Sequence, residues 1–104
     1  MMLKVFKVKG GSMLPTLEAG DIVFVKHEDQ LRTGDIIVLN HPTVGMVVKR
    51  VKTIFKECLY LIGDNKRLDS STCNAPLSMS LAEGRVFAVY RFPFSIRFLP
   101  AIAD

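Results

Sequence analysis

Apolar and polar positions alternate in short runs along most of the chain, and turn residues interrupt the runs. Six segments read as strands: Leu3–Lys9, Asp21–Lys26 (DIVFVK), Ile36–Asn40 (IIVLN), Gly45–Phe55 (GMVVKRVKTIF), Leu59–Gly63 (LYLIG) and Arg85–Phe92 (RVFAVYRF). Turn signals lie between them at Glu18-Ala19-Gly20-Asp21, Thr33-Gly34-Asp35, His41-Pro42-Thr43 and Gly63-Asp64-Asn65. No long stretch has helical period, and Leu77–Glu83 fits a single short helical turn. The pattern predicts a small all-β domain, an antiparallel coiled sheet of barrel-like form with strongly bent strands. It fills residues 1–104 as one unit.

One motif occurs twice. Ala19-Gly20-Asp21-Ile22-Val23 and Thr33-Gly34-Asp35-Ile36-Ile37 each place Gly-Asp before a β-branched pair. Gly supplies a positive φ at a turn and Asp hydrogen-bonds the following backbone, so both read as strand starts.

Composition narrows the class. A chain of 104 residues suits one domain, and 49% apolar with 23% charged residues excludes a disordered protein. The net charge of +4 is too weak to name a nucleic-acid partner. The longest uncharged stretches, Ile36–Val48 and Ser70–Ala82, contain polar residues and Pro, and both fall short of the ~20 apolar residues that span a bilayer. Lys4, Lys7 and Lys9 have no apolar run behind them, so the N-terminus is no secretory signal. Cys58 and Cys73 make no disulfide framework, and His27 and His41 lack the spacing of a zinc site. No metal or cofactor is expected, and the expected setting is the cytoplasm.

Two residues carry candidate chemistry. In the run Val47-Val48-Lys49-Arg50-Val51-Lys52, one face shows Val47, Lys49 and Val51; the other shows Val48, Arg50 and Lys52, and reads as solvated. Lys49 thus points with the valines. A lysine against apolar surface loses hydration of its charged form, and its pKa falls from about 10.4, which makes it a general base. The bland alternative is a lysine that snorkels past the valines to water. Ser12 lies in Gly10-Gly11-Ser12-Met13-Leu14-Pro15-Thr16. Two glycines permit close backbone approach, and Pro15 stiffens the segment after it. A serine on such a turn, with backbone N–H groups beside it, suits a nucleophile whose oxyanion must be caught; the alternative is a plain loop serine. A Ser-His-Asp triad would need His27 or His41, and both read as surface turn positions.

Together these residues resemble the signal peptidase I family of Ser–Lys proteases. Ser12-Met13-Leu14-Pro15-Thr16 resembles its nucleophile box. Gly20-Asp21-Ile22-Val23 and Gly34-Asp35-Ile36-Ile37 resemble two strand boxes. Val48-Lys49-Arg50-Val51 resembles the box of the general base, and Gly63-Asp64-Asn65 with Asp69-Ser70 the terminal box. Gly84-Arg85-Val86 is similar to the closing strand. The resemblance implies that Ser12 attacks the scissile carbonyl and that Lys49 takes its proton. Gly10, Gly11 and the Ser12 N–H would form the oxyanion site. Met13 would touch substrate, with Asp64, Asp69 and Ser70 in support. Gly10 stands where many members have a serine, and Arg67 where a serine orients the lysine, so Ser70 or Ser71 would have to substitute.

The sequence has no anchor before Ser12 and resembles the short members, in particular the nickel-type superoxide dismutase maturation proteases. The implied partner is a precursor protein with a cleavable N-terminal leader. Two alternatives are a self-cleaving core like that of SOS repressors and a non-catalytic basic β-barrel. The barrel would bind nucleic acid through Lys4, Lys7, Lys9, Lys52, Lys56, Lys66 and Arg67. Stacking on such a barrel needs exposed aromatics; Phe6, Phe24 and Phe55 read as core by alternation, and Trp is absent. The apolar tail Arg91–Pro100 reads as a final strand packed on the core, or else as a patch for peripheral membrane contact.

Overall fold

The computed structural model describes residues 3–68, 75–93 and 95–100. Eight strands form one antiparallel sheet: β1 (Leu3–Lys7), β2 (Ile22–Lys26), β3 (Ile36–His41), β4 (Gly45–Phe55), β5 (Cys58–Ile62), β6 (Leu77–Ser78), β7 (Ala82–Arg91) and β8 (Ser95–Phe98). Their order is β1-β2-β7-β3-β4-β5-β6, with β8 paired to β7. The sheet is not closed, because β1 and β6 stand at its two ends. A 3-10 turn, Met79–Leu81, interrupts the strands at the predicted helical turn. Among the described residues no helix is long and apolar enough to cross a membrane.

Coiling of the sheet gives it two cores. Val8, Met13, Leu17, Val23, Val25, Ile36, Val38, Val86 and Val89 form one. Leu31, Ile37, Leu39, Val51, Leu59 and Leu61 form the other. β3 divides them: Ile36 and Val38 face the first, Ile37 and Leu39 the second. A strand covered on both sides needs no alternation, which accounts for the unbroken IIVL run.

The two Gly-Asp turns are built alike. The Asp21 N–H donates to the Glu18 carbonyl (3.0 Å) and the Asp35 N–H to the Arg32 carbonyl (3.0 Å). In return Asp21 Oδ2 accepts the Glu18 N–H (3.0 Å) and Asp35 Oδ2 the Arg32 N–H (2.8 Å). Gly20 and Gly34 supply nearly equal positive φ, +96° and +98°. The strands do start directly after these turns, at Ile22 and Ile36, but the carboxylates cap the residue three before and not the backbone that follows.

Three further expectations are corrected. Phe55 is 61% exposed rather than in the core, because the β4–β5 register shifts between Val51 and Thr53 and breaks the alternation. Phe6 and Phe24 are half-buried, Phe6 against the first core. The second face of β4 is not solvated at Arg50: Val48 packs against the first core, and Arg50 is half-buried. The tail does form a strand, β8, but Ile96 and Phe98 stay exposed, while Leu99 packs against the core.

Candidate active site

The loop from Val8 to Asp21 joins β1 to β2 and carries Ser12. Met13 and Leu17 pin it from below, both buried in the first core. Its ends are tied by Val8 N–H to Asp21 O (2.8 Å) and Gly20 N–H to Val8 O (2.9 Å). A turn following β5 holds it from the side. The Asn65 N–H donates to Ser12 O (2.8 Å), and Asn65 Nδ2 donates to Gly11 O (2.8 Å). Gly63 lies flat against the serine, and a Cβ there would meet Ser12 O at 2.6 Å. Only glycine permits that approach without a shift of backbone.

Asp64 completes this clamp. Its carboxylate accepts Thr16 Oγ1–H (2.5 Å) from the loop and the Arg50 Nε and Nη2 donors (2.8 Å each) from β4. Arg50 Nη1 also donates to Gly34 O (2.7 Å). Loop, strand and turn are thereby tied at one carboxylate. The two-pronged Arg50 contact, then the Thr16 hydroxyl, hold the Asp64 pKa below the usual carboxylate value, and the same contact raises that of Arg50. Asp21 closes the far end of the loop with similar chemistry. Arg91 Nε and Nη2 donate to its two oxygens (2.9 and 2.8 Å) and lower its pKa.

Lys49 is next to Arg50, opposite Ile37 in the β3–β4 ladder, and only 4% exposed. It lines a cavity of about 750 Å³ together with half-buried Ser12. Val38, Val47, Val48 and Met13 give the walls and floor an apolar surface, while Val5, Lys7 and Lys9 of the first segment form one lip and Val44 and Met46 of the β3–β4 hairpin the other. The structure therefore brings the predicted serine and lysine to one cavity.

The remaining predicted residues fall out differently. Gly11 contributes its carbonyl to Asn65, and Gly10 is exposed. Met13 is 2% exposed and meets the cavity only as its floor. Asp64 supports the loop, as described; Asp69, Ser70, Ser71 and Cys73 lie outside the described residues. Neither histidine lines the cavity. His41 Nδ1 accepts the N–H groups of Thr43 and Val44 in the β3–β4 turn, and His27 Nε2 contacts Asp29 on the surface. Among the described residues no cluster of His, Cys, Asp or Glu fits a metal ion.

Four residues with a part in this geometry were named in the sequence motifs but not as site residues: Gly63, Asn65, Thr16 and Arg50. Their signal was present in the Gly-Asp-Asn run and in the Thr that ends the serine box. Two comparisons bear on the chain. Residues 2–87 match the family model described as Peptidase S24-like. A comparison with curated proteins finds no match.

Proposed function

The chain belongs to the Peptidase S24-like family, and on that footing we propose that it is a serine endopeptidase with Ser12 as nucleophile and Lys49 as general base. The observation that carries the reading is that both residues line one apolar cavity, with Lys49 almost wholly buried. Burial disfavours an ammonium ion and favours the neutral amine that can accept a proton.

The chemistry then runs in two halves. Ser12 Oγ attacks the scissile carbonyl while Lys49 Nζ takes the hydroxyl proton. The tetrahedral oxyanion is met by the Ser12 N–H. Its collapse breaks the C–N bond, Lys49 returns the proton to the departing amine, and Ser12 is left as an ester. Water attacks the ester, Lys49 takes its proton, and Lys49 returns that proton to Ser12 Oγ as the acyl C–O bond breaks, which releases the acid and restores both groups.

A peptide fits this cleft as an added strand. β1 is the end strand of the sheet. The Val8 N–H and C=O both turn toward the β2 side. By alternation the backbone groups of Lys7 and Lys9 turn the other way, toward the cavity that these residues line. The substrate of this reading is a precursor protein with an N-terminal leader, cut beside small side chains. A nickel-type superoxide dismutase precursor is the first candidate to try.

The test is a mass-spectrometric comparison of cell extracts incubated with the wild type and with Ser12→Ala. A precursor shortened at its N-terminus only by the wild type supports the reading. Identical peptide termini in both samples, or trimming that survives Ser12→Ala, refutes it. Cutting confined to the protein's own chain would favour a self-cleaving core instead.

A further inference from the structure

We propose that Lys7 and Lys9 make this cleft selective for peptides with acidic side chains at alternate positions beside the cut. The inference rests on the peptidase reading above and adds a substrate class to it.

Among the described residues the cavity is lined by three lysines and Ser12 with otherwise apolar side chains, and no carboxylate. Lys49 is at the bottom, whereas Lys7 and Lys9 are exposed at the lip. The other lysines near this region are already engaged. Lys4 of the same strand pairs with Glu83, and Lys26 lies over the Phe87 ring at 6.0 Å. Lys7 and Lys9 make no ion pair among the described residues.

Their spacing has a consequence. Residues two apart on an extended segment project to the same side, about 7 Å apart. A peptide strand laid along the β1 edge repeats on the same spacing, so two alternate side chains fall beside the two ammonium groups. Acids there gain cross-strand pairs, and basic residues meet like charge. The apolar walls of the cleft strengthen the local field relative to open solvent. Each exposed pair is worth roughly a two- to fivefold change in binding, reduced by salt.

The experiment uses three fluorescent peptides with a common Ala-Ser core and two alternate flanking positions, both Asp, both Ser or both Lys. Binding is measured to the Ser12→Ala protein, and KM and kcat to the wild type. The expected order of affinity is Asp, then Ser, then Lys, seen in Kd and KM rather than kcat and compressed by added salt. Lys7→Glu and Lys9→Glu invert the order, whereas Lys56→Glu, an equal change of net charge far along the chain, preserves it. Lys7→Gln and Lys9→Gln, which flatten the order, replace the reversals if those do not fold. Equal affinities, no binding of any peptide, or a preference that Lys56→Glu alters as much as Lys9→Glu does would overturn the proposal. Hydrolysis no faster than with Ser12→Ala would sink the peptidase reading instead, while the binding series still decides the role of the lysines.

Discussion

The loop that carries Ser12 is held at two points by a carboxylate and an arginine, at Thr16 and at Asp21, and the two clamps differ in what they secure. Asp21, at the far end, is 1% exposed and joins the loop to β7 through Arg91. It also caps its own turn through the Glu18 N–H. Asp64 is only half-buried, yet it joins the loop to the residue beside Lys49. Similar chemistry thus has separate consequences. One clamp closes a turn of the fold, and the other ties the serine loop to the strand that carries Lys49.

The largest separation between the clamps is expected from added methyl groups. Gly63→Ala drives a Cβ into Ser12 O and should lower peptide hydrolysis on the order of 10²-fold, since small displacements of a reacting group carry that scale of loss. Gly20→Ala on the Asp21 side meets nothing within 4 Å; its cost is the positive φ, about 1–2 kcal/mol of stability, with kcat retained. Steady-state kinetics beside thermal melts check both, and equal kinetic losses would erase the distinction.

Isosteric neutralisation comes next. Asp64→Asn should reduce kcat about tenfold with a modest fall in melting temperature, because it frees Arg50 and Thr16 while leaving the cores intact. Asp21→Asn should reverse the balance, with the melting temperature down on the order of 10 °C and kcat per folded molecule near wild type. A kinetic defect in Asp21→Asn larger than that in Asp64→Asn would break the comparison.

The smallest effect is on stability against acid. Both carboxylates have pKa values lowered from 3.8 in the folded state, Asp21 by the Arg91 contact and Asp64 by the Arg50 contact. The unfolded chain therefore binds the protons first. The stabilisation is complete above the ordinary carboxylate pKa and is lost as pH falls below about 4 through the lowered native values. Urea titrations at several acidic pH values should show the slope of stability with pH reduced in each Asn variant. An unchanged slope in Asp64→Asn would contradict its pairing with Arg50.

β2 and β5 were visible because buried and more open positions alternate along them. β4 was read to its ends, Gly45–Phe55. The errors come from contacts that local pattern does not contain. Phe55 shares the parity of Val47 and Val51, but the register shift after Val51 turns the end of the strand outward. Arg50 looked like a solvent marker because a charge on a strand usually is one. Its partner Asp64 reaches it only after β5 has folded back on β4. β6 has two residues, too few to show any period. Within the candidate site, residue type and alternation singled out Lys49 and Ser12 one at a time, each beside a bland alternative; the ordered resemblance joined them, and both line one cavity. The clamp was not legible, since the spatial role of Gly63 appears only where the serine backbone rests on it.

The most direct measurement is intact-protein mass spectrometry after reaction with an activated peptide ester, followed over pH, for the wild type and Lys49→Ala. The account predicts one acyl adduct on Ser12, formed at a rate that rises with pH to a midpoint well below the ~10.4 of a free lysine, and no adduct above background in Lys49→Ala. Acylation at another residue, or equal acylation of Ser12 without the lysine, would contradict it.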